Sequence, residues 1–211
     1  MSLLIYKFVI GPLRNNTYLV VDQNTKKTAV IDPALGSSAI ADLVKEKYFD
    51  VAGIWLTHGH FDHFYGVQEF IDHLGANPVV AIHSKDLILW KNAGASTNFG
   101  YTIEPGPEPG ILLSDNQVIT LGDSEIKVIH TPGHTPGHVV FYSEEDQVVF
   151  CGDLIFKSSI GRPDNDRNSL EQIVNSIKER IFSLPDDSRL LPGHGPETSI
   201  IEEKLGNPFL I

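Results

Sequence analysis

Four side chains able to hold a divalent metal fall within the short segment THGHFDH, positions 57–63. Before it runs VAGIWLT (51–57), a stretch of strand character, and after it Val67, Phe70, Ile71 and Leu74 recur at helical spacing. A strand that ends in such a cluster and then enters a helix must carry it at a sheet edge, where the chain turns. On a regular strand His58 and His60 point to one face, and the turn lets Asp62 and His63 point across to a neighbouring position. Neutral imidazole and carboxylate suit zinc, iron or manganese, and the group lacks the cysteines common in closed structural zinc sites. Open coordination serves catalysis.

Three further segments bring metal-type side chains to strand ends: HTPGHTPGH (130–138), CGD (151–153) with Asp153, and LPGHGP (191–196) with His194. The strands themselves are legible. LLIYKFVI (3–10), TYLVVD (17–22) and TAVIDP (28–33) read as an antiparallel meander, and IKVIHT (126–131), HVVFYS (138–143) and QVVFCGD (147–153) as a second antiparallel group. A helix behind a serine cap starts at Ser38, with Ile40, Leu43, Val44 and Tyr48 on its apolar face. SLEQIVNSIKERIFSL (169–184) forms another, with Leu170, Ile173, Val174, Ile177 and Ile181 on one face and Ser169 with Gln172 as its capping box. A short strand, SRLLP, and a terminal helix follow. Residues 93–113, rich in Gly and Pro, read as an irregular loop. Two strand-rich halves flanked by amphipathic helices predict an α+β fold, a four-layer αβ/βα sandwich, formed as one domain over residues 1–211.

Sixteen basic against 27 acidic residues leave a net charge of −11, a surface that repels nucleic acid and anionic membrane. Neither is therefore an expected partner; a small-molecule substrate is. Cys151 is the only cysteine, so no intrachain disulfide forms. The opening apolar run is too short and alternating for a signal peptide, and no stretch reaches the roughly 20 apolar residues of a membrane span. A cytoplasmic location is expected; the oligomeric state is left open.

In order along the chain, HGHFDH at 58–63, His134, Asp153 and His194 resemble the metallo-β-lactamase superfamily, and the likeness spans essentially the whole chain. It implies that His58, His60 and His134 hold one metal, Asp62, His63 and His194 a second, and that Asp153 bridges them. Aspartate at 153, GDLIFKSSIGRPD (152–164), LPGHGP and a closing NPFL are similar to the short bacterial glyoxalase II-like hydrolases, the hydroxyacylglutathione hydrolases. Two departures bear on the thiol part of the substrate: the additional C-terminal helical segment that supplies glutathione contacts in full-length glyoxalase II is not expected here, and NDRNS follows GRPD where an aromatic or Phe-Pro continuation is usual. The resemblance implies cleavage of a thioester such as S-lactoylglutathione by hydroxide held between two divalent ions, zinc first and iron or manganese as alternatives. Asp62 is the candidate catalytic residue, orienting that hydroxide. Two other activities share the pattern: a persulfide dioxygenase with a single iron, and a lactonase or other ester hydrolase.

Other residues carry weaker expectations. Asp32, in IDPA, is expected to support the metal loops through hydrogen bonds. Arg162 pairs either with a substrate carboxylate or in a surface salt bridge. His130 and His138 flank the His134 turn as ligand supports or as ordinary structural histidines, while His73 and His83 read as surface or packing residues. Phe61, Phe64 and Tyr65 read first as core, and Cys151 as a small buried strand residue.

Overall fold

Every residue of the strand Asn15–Asp22 is buried. Successive side chains leave a strand on opposite faces, and here Tyr18 and Val20 enter one apolar cluster while Leu19 and Val21 enter another. That strand is thus covered on both sides, which a four-layer arrangement provides. In the computed structural model, which describes residues 2–163 and 167–211, it is β2 of a six-stranded sheet. The sheet runs in chain order through β1 (Leu3–Ile10), β2, β3 (Lys27–Ile31), β4 (Asp50–Trp55), β5 (Val79–His83) and β6 (Ile111–Leu113). Pairing is antiparallel from β1 to β3 and parallel from β3 to β6.

The second sheet is built from β7 (Val118–Leu121), β8 (Ser124–His130), β9 (Val139–Ser143), β10 (Val148–Gly152), β13 (Arg189–Pro192) and β14 (Thr198–Ser199), in the order β14-β13-β10-β9-β8-β7. As the absence of helices between them predicts, β8, β9 and β10 pair antiparallel. A small hairpin of β11 (Ile155–Phe156) and β12 (Ser159–Ile160) stands apart from both sheets.

Between the sheets lie Val20, Ile31, Trp55, Val128, Phe141 and Phe150. Tyr18 meets Phe150 at 5.4 Å between ring centroids, and Trp55 meets Phe141 at 5.5 Å, each pair stitching one sheet to the other with about 0.5–1.5 kcal/mol beyond simple burial. The outer face of the first sheet is covered by α1 (Ser38–Glu46), α2 (Val67–Leu74) and α3 (Leu87–Lys91) through Ile40, Val44, Phe70 and Trp90. The second is covered by α4 (Arg167–Asn175) and α5 (Ile200–Gly206) through Ile173 and Ile200. This is the expected αβ/βα sandwich.

Three local expectations are corrected. Residues 93–113 are not wholly irregular: they hold a helical turn, Ala93–Phe99, and β6, whose three residues pair parallel with β5. The long amphipathic helix begins at Arg167, so Ser169 and Gln172 lie inside it and do not form its capping box; Asn165 and Asp166, just ahead, lie outside the described residues. Leu170 is exposed, while Ile173, Ile177 and Ile181 are fully buried. Their four-residue spacing outruns the 3.6-residue α-turn, and the chain widens over Ser176–Ile181 into a π-turn, with Phe182 N–H donating to Ile177 O at 2.9 Å. The wider turn keeps the three isoleucines on the sheet.

The sheets also meet at one edge. His83 ends β5 and His130 ends β8, and their rings stack 4.4 Å apart with planes 7° from parallel. Burial, and after it His130 and Lys85, push the His83 pKa down to about 4. In the unfolded chain the ring titrates near about 6.5. The folded state therefore binds this proton less readily, so the contribution to stability is complete above about pH 6.5 and is lost as pH falls towards about 4. His83→Gln is expected to lower the melting temperature at neutral pH yet flatten its decline on acidification; an unchanged decline would remove His83 as a source of it.

Candidate metal centre

The strand β4 ends at Trp55, and the chain has left the sheet before His58. His58 and His60 are therefore not two same-face residues of a strand. They converge because the extended loop brings different nitrogens inwards: His58 Nε2 lies 3.3 Å from His134 Nε2, and His60 Nδ1 lies 2.9 Å from that same atom. A single 3₁₀ turn, Phe61–His63, then presents Asp62 and His63. His134, Asp153 and His194 arrive from loops following the C-terminal ends of β8, β10 and β13. These ends share one edge, where Thr57 O accepts from Val139 N–H at 2.8 Å and Gly193 O from Asn16 N–H at 2.7 Å.

Asp62, His63 and His194 make a second group. Asp62 Oδ2 stands 3.6 Å from His63 Nε2 and 3.3 Å from His194 Nε2. Asp153 reaches both groups: its Oδ1 is 3.4 Å from His63 Nε2, and its Oδ2 is 3.8 Å from His134 Nε2 and 3.7 Å from His194 Nε2. All seven expected ligand residues are thus brought together.

These distances fit metal-binding groups. Two ligand atoms each about 2.0–2.1 Å from a tetrahedral ion lie about 3.3 Å apart, inside the spread seen here. Among the described residues, the buried His63 Nε2 and Asp153 Oδ1 have no hydrogen-bond partner, an arrangement that costs free energy until something fills it. Gly193 leaves the necessary room, since a Cβ there would lie 2.4 Å from Asp153 Oδ1.

The ring tautomers agree. His63 Nδ1 donates to Asp32 Oδ2 at 2.9 Å, His134 Nδ1 to Arg162 O at 2.7 Å, and His194 Nδ1 to Leu13 O at 3.1 Å. Thr57 Oγ1 gives its proton to Asp32 Oδ2 at 2.7 Å and so accepts from His58 Nδ1 at 3.0 Å. With Nδ1 as the outward donor in all four rings, each Nε2 faces the centre, the orientation that a partner on the far nitrogen secures. Asp32 sits on this outer side, held also by Thr57 N–H at 2.8 Å and by a left-handed backbone, φ 50°.

Charge follows the same plan. Burial, then the neighbouring His63, His134, His60 and His138, hold His58 neutral with a pKa well below the usual imidazole range. Burial works against ionising Asp62 and Asp153, yet His63 and His194 outweigh it, bringing Asp62 to about 2 and Asp153 lower still. Burial also opposes a charge on His63, but Asp153, Asp62 and Asp32 raise its pKa well above 6.5. Carboxylates gathered around one ring favour positive charge at this spot.

Two supports have no evident local signal in the sequence. Asn15 Nδ2 donates to Asp62 Oδ2 at 2.8 Å, although the Asn-Asn pair reads as a turn. Asp86, fully buried, accepts from Gly59 N–H at 2.9 Å, Gly137 N–H at 2.6 Å and Thr135 Oγ1 at 2.5 Å. It ties the two His-rich loops together; Gly137 is needed because a Cβ there would lie 2.6 Å from Asp86 N.

Among the weaker expectations, His138 is buried, with Nδ1 donating to Thr131 Oγ1 at 2.9 Å and Nε2 accepting from Asp153 N–H at 3.2 Å. His73 is a surface residue paired with Asp42 at 2.7 Å. Phe64 is core, whereas Phe61 is buried and also borders the cavity above the metal groups. Cys151 is fully buried and burial raises its thiol pKa, which suits packing and not nucleophilic attack. The cavity has a volume of about 860 Å³, and Phe99, Phe156, Lys157 and Arg162 line it together with His60 and Asp153. Arg162 is exposed, and its backbone carbonyl, not its side chain, holds His134. Among the described residues no helix is long and apolar enough to cross a membrane.

Comparison with known proteins bears on this geometry. A model described as the metallo-beta-lactamase superfamily matches residues 10–194. The hydroxyacylglutathione hydrolase GloC of Haemophilus influenzae is 31% identical over 203 residues, covering 95% of this chain and 95% of that protein. Among solved structures, TTHA1623 in a di-iron-bound form is similar with a TM-score of 0.84 and 36% identity, over 97% of this chain and 100% of that one. The BLEG-1 B3 metallo-beta-lactamase is similar with a TM-score of 0.90 and 31% identity, over 98% of this chain and 99% of that one.

Proposed function

The chain belongs to the metallo-β-lactamase superfamily, and on that premise we propose that it is a hydrolase of small anionic thioesters, S-lactoylglutathione being the model substrate. His58, His60 and His134 would hold one divalent ion and Asp62, His63 and His194 another, with Asp153 shared between them. The observation that carries this reading is the placement of Asp153, one oxygen beside His63 and the other beside His134 and His194. Two divalent ions at such a site lower the pKa of bound water towards neutrality and polarise a carbonyl.

The chain's own groups supply the rest. Asp62, ionised down to about pH 2 and steadied by Asn15, accepts a hydrogen bond from the attacking water and orients it. Lys157 and Arg162 put positive charge beside the cavity of a chain whose net charge is −11, which favours an anionic substrate. A thiolate is a modest base, so its departure asks for little general-acid assistance.

Imidazole and carboxylate donors accept zinc, iron and manganese alike, and the di-iron form of one relative makes iron a specific alternative to zinc. The test is a substrate panel on protein of measured metal content: S-lactoylglutathione, a lactone, a β-lactam, and glutathione persulfide with oxygen uptake recorded. Thioester turnover well above the others is expected. Oxygen uptake with the persulfide on iron-loaded protein would replace this reading by a dioxygenase, and preferential lactone or β-lactam cleavage would move it to those esters or amides.

Arg162→Ala separates substrate binding from metal binding, because the carbonyl that holds His134 belongs to the backbone. Its expected effect is a KM for S-lactoylglutathione raised about 10-fold or more with metal content unchanged, the loss of one charge-assisted contact. Initial rates alongside elemental analysis check it; an unchanged KM would remove Arg162 from the substrate site.

A further inference from the structure

The closing NPFL segment (207–210) stands outside the chemistry described so far, yet it holds part of the cavity. Asn207 is fully buried, and its Nδ2 donates to Ser159 O at 3.0 Å and to Glu203 Oε2 at 2.7 Å. Glu203, 2% exposed on α5, also accepts from Ser158 N–H at 3.0 Å through Oε2 and from Thr198 Oγ1 at 2.7 Å through Oε1. Ser158 and Ser159 belong to the β11–β12 hairpin, whose Phe156, Lys157, Ser159 and Ile160 line the cavity beside the metal groups. The Phe156 ring lies 6.4 Å from that of His194.

Such a hairpin has little stability of its own. Each strand is two residues long, well short of what an independent two-stranded ribbon needs. At its tip Ser158 adopts φ 58°, a left-handed backbone that a non-glycine residue takes only when neighbours enforce it. Among the described residues, the Glu203 and Asn207 side chains are buried groups that bond to this tip and the strand after it.

We propose that Glu203 and Asn207 are positioning residues for substrate specificity: from the C-terminal helix they clamp the 155–160 hairpin, and so set the shape of the cavity wall that meets the part of the substrate remote from the metals. This rests on the reading of the cavity as a thioester site. Loosening the clamp changes which substrates bind, and leaves the metal ligands in place.

Glu203→Ala and Asn207→Ala test this in the full metal-loaded chain. The first removes the acceptor of Ser158 N–H, Asn207 Nδ2 and Thr198 Oγ1; the second removes only the Asn207 bonds to Ser159 O and Glu203 and serves if the first variant folds poorly. Two readouts are compared. Hydrogen exchange at residues 155–160 is expected to quicken at least about 10-fold while β10 is unchanged. The KM for S-lactoylglutathione is expected to rise about 5- to 30-fold with kcat and metal content held, while the KM for ethyl thioacetate, which lacks the peptide part, stays the same. Unchanged exchange in both variants overturns the clamp, and equal KM changes for both thioesters, or metal loss in step with activity, overturn its role in specificity. If the unmodified protein cleaves no thioester, the functional reading fails by itself, and exchange at 155–160 still decides whether the clamp exists.

Discussion

Asp153→Asn is expected to lower kcat for thioester hydrolysis by at least about 10³-fold and to reduce bound metal from about two ions per chain to about one or fewer. Asparagine keeps the shape of the side chain but removes one anionic oxygen and sets an amide N–H₂ against imidazole nitrogens. Asp153 Oδ1 is buried with no donor among the described residues and Oδ2 faces His134 and His194, so no orientation of the amide serves both groups. The backbone changes little, because Asp153 N–H still donates to His138 Nε2. Elemental analysis after dialysis, with initial rates on the same sample, checks the prediction. Two ions retained together with near-normal turnover would show that Asp153 is not shared between the groups.

Asp86→Ala is expected to cost about 3–5 kcal/mol of stability, as for removal of a buried, fully used carboxylate. It deprives the amides of Gly59 and Gly137 and the hydroxyl of Thr135 of their acceptor at once. Burial raises the Asp86 pKa, and the bonds from Thr135, Gly59 and Gly137 pull it back; the carboxyl persists in this place because those donors need it. Since Gly59 lies between His58 and His60, and Thr135 follows His134, metal affinity should also fall, by about 10- to 100-fold. Urea unfolding and competitive metal titration measure the two effects. A loss below about 1 kcal/mol with affinity intact would mean that the loops hold their shape without Asp86.

What the sequence made legible was the set of strand ends. His58, His60, Asp62 and His63 follow β4, and His134, Asp153 and His194 follow β8, β10 and β13, so a sandwich that aligns those ends brings them together without detailed knowledge of the path. The strand character of β2 was legible as well, in the β-branched and aromatic run after Asn16, whereas its burial on both faces follows from the packing of the layers around it. Long-range pairing was not legible. Asp86 meets Gly137 across 51 positions, Asn15 meets Asp62 across 47, and Asn207 meets Ser159 across 48; no local pattern in the sequence signals any of these pairings. The same limit explains the corrected helix start at Arg167 and the three residues of β6, which become a strand only because β5 offers them an edge. His58 and His60 illustrate a subtler failure: alternate spacing suggested a shared strand face, whereas the structure achieves convergence by using Nε2 of one ring and Nδ1 of the other.

The proposed dinuclear thioesterase is tested most directly by titrating metal-free protein with a divalent ion and following S-lactoylglutathione hydrolysis at each addition. Turnover is expected to appear on metal addition and to reach its maximum near about two ions per chain. Full activity at one equivalent, or no hydrolysis at any loading, would contradict it.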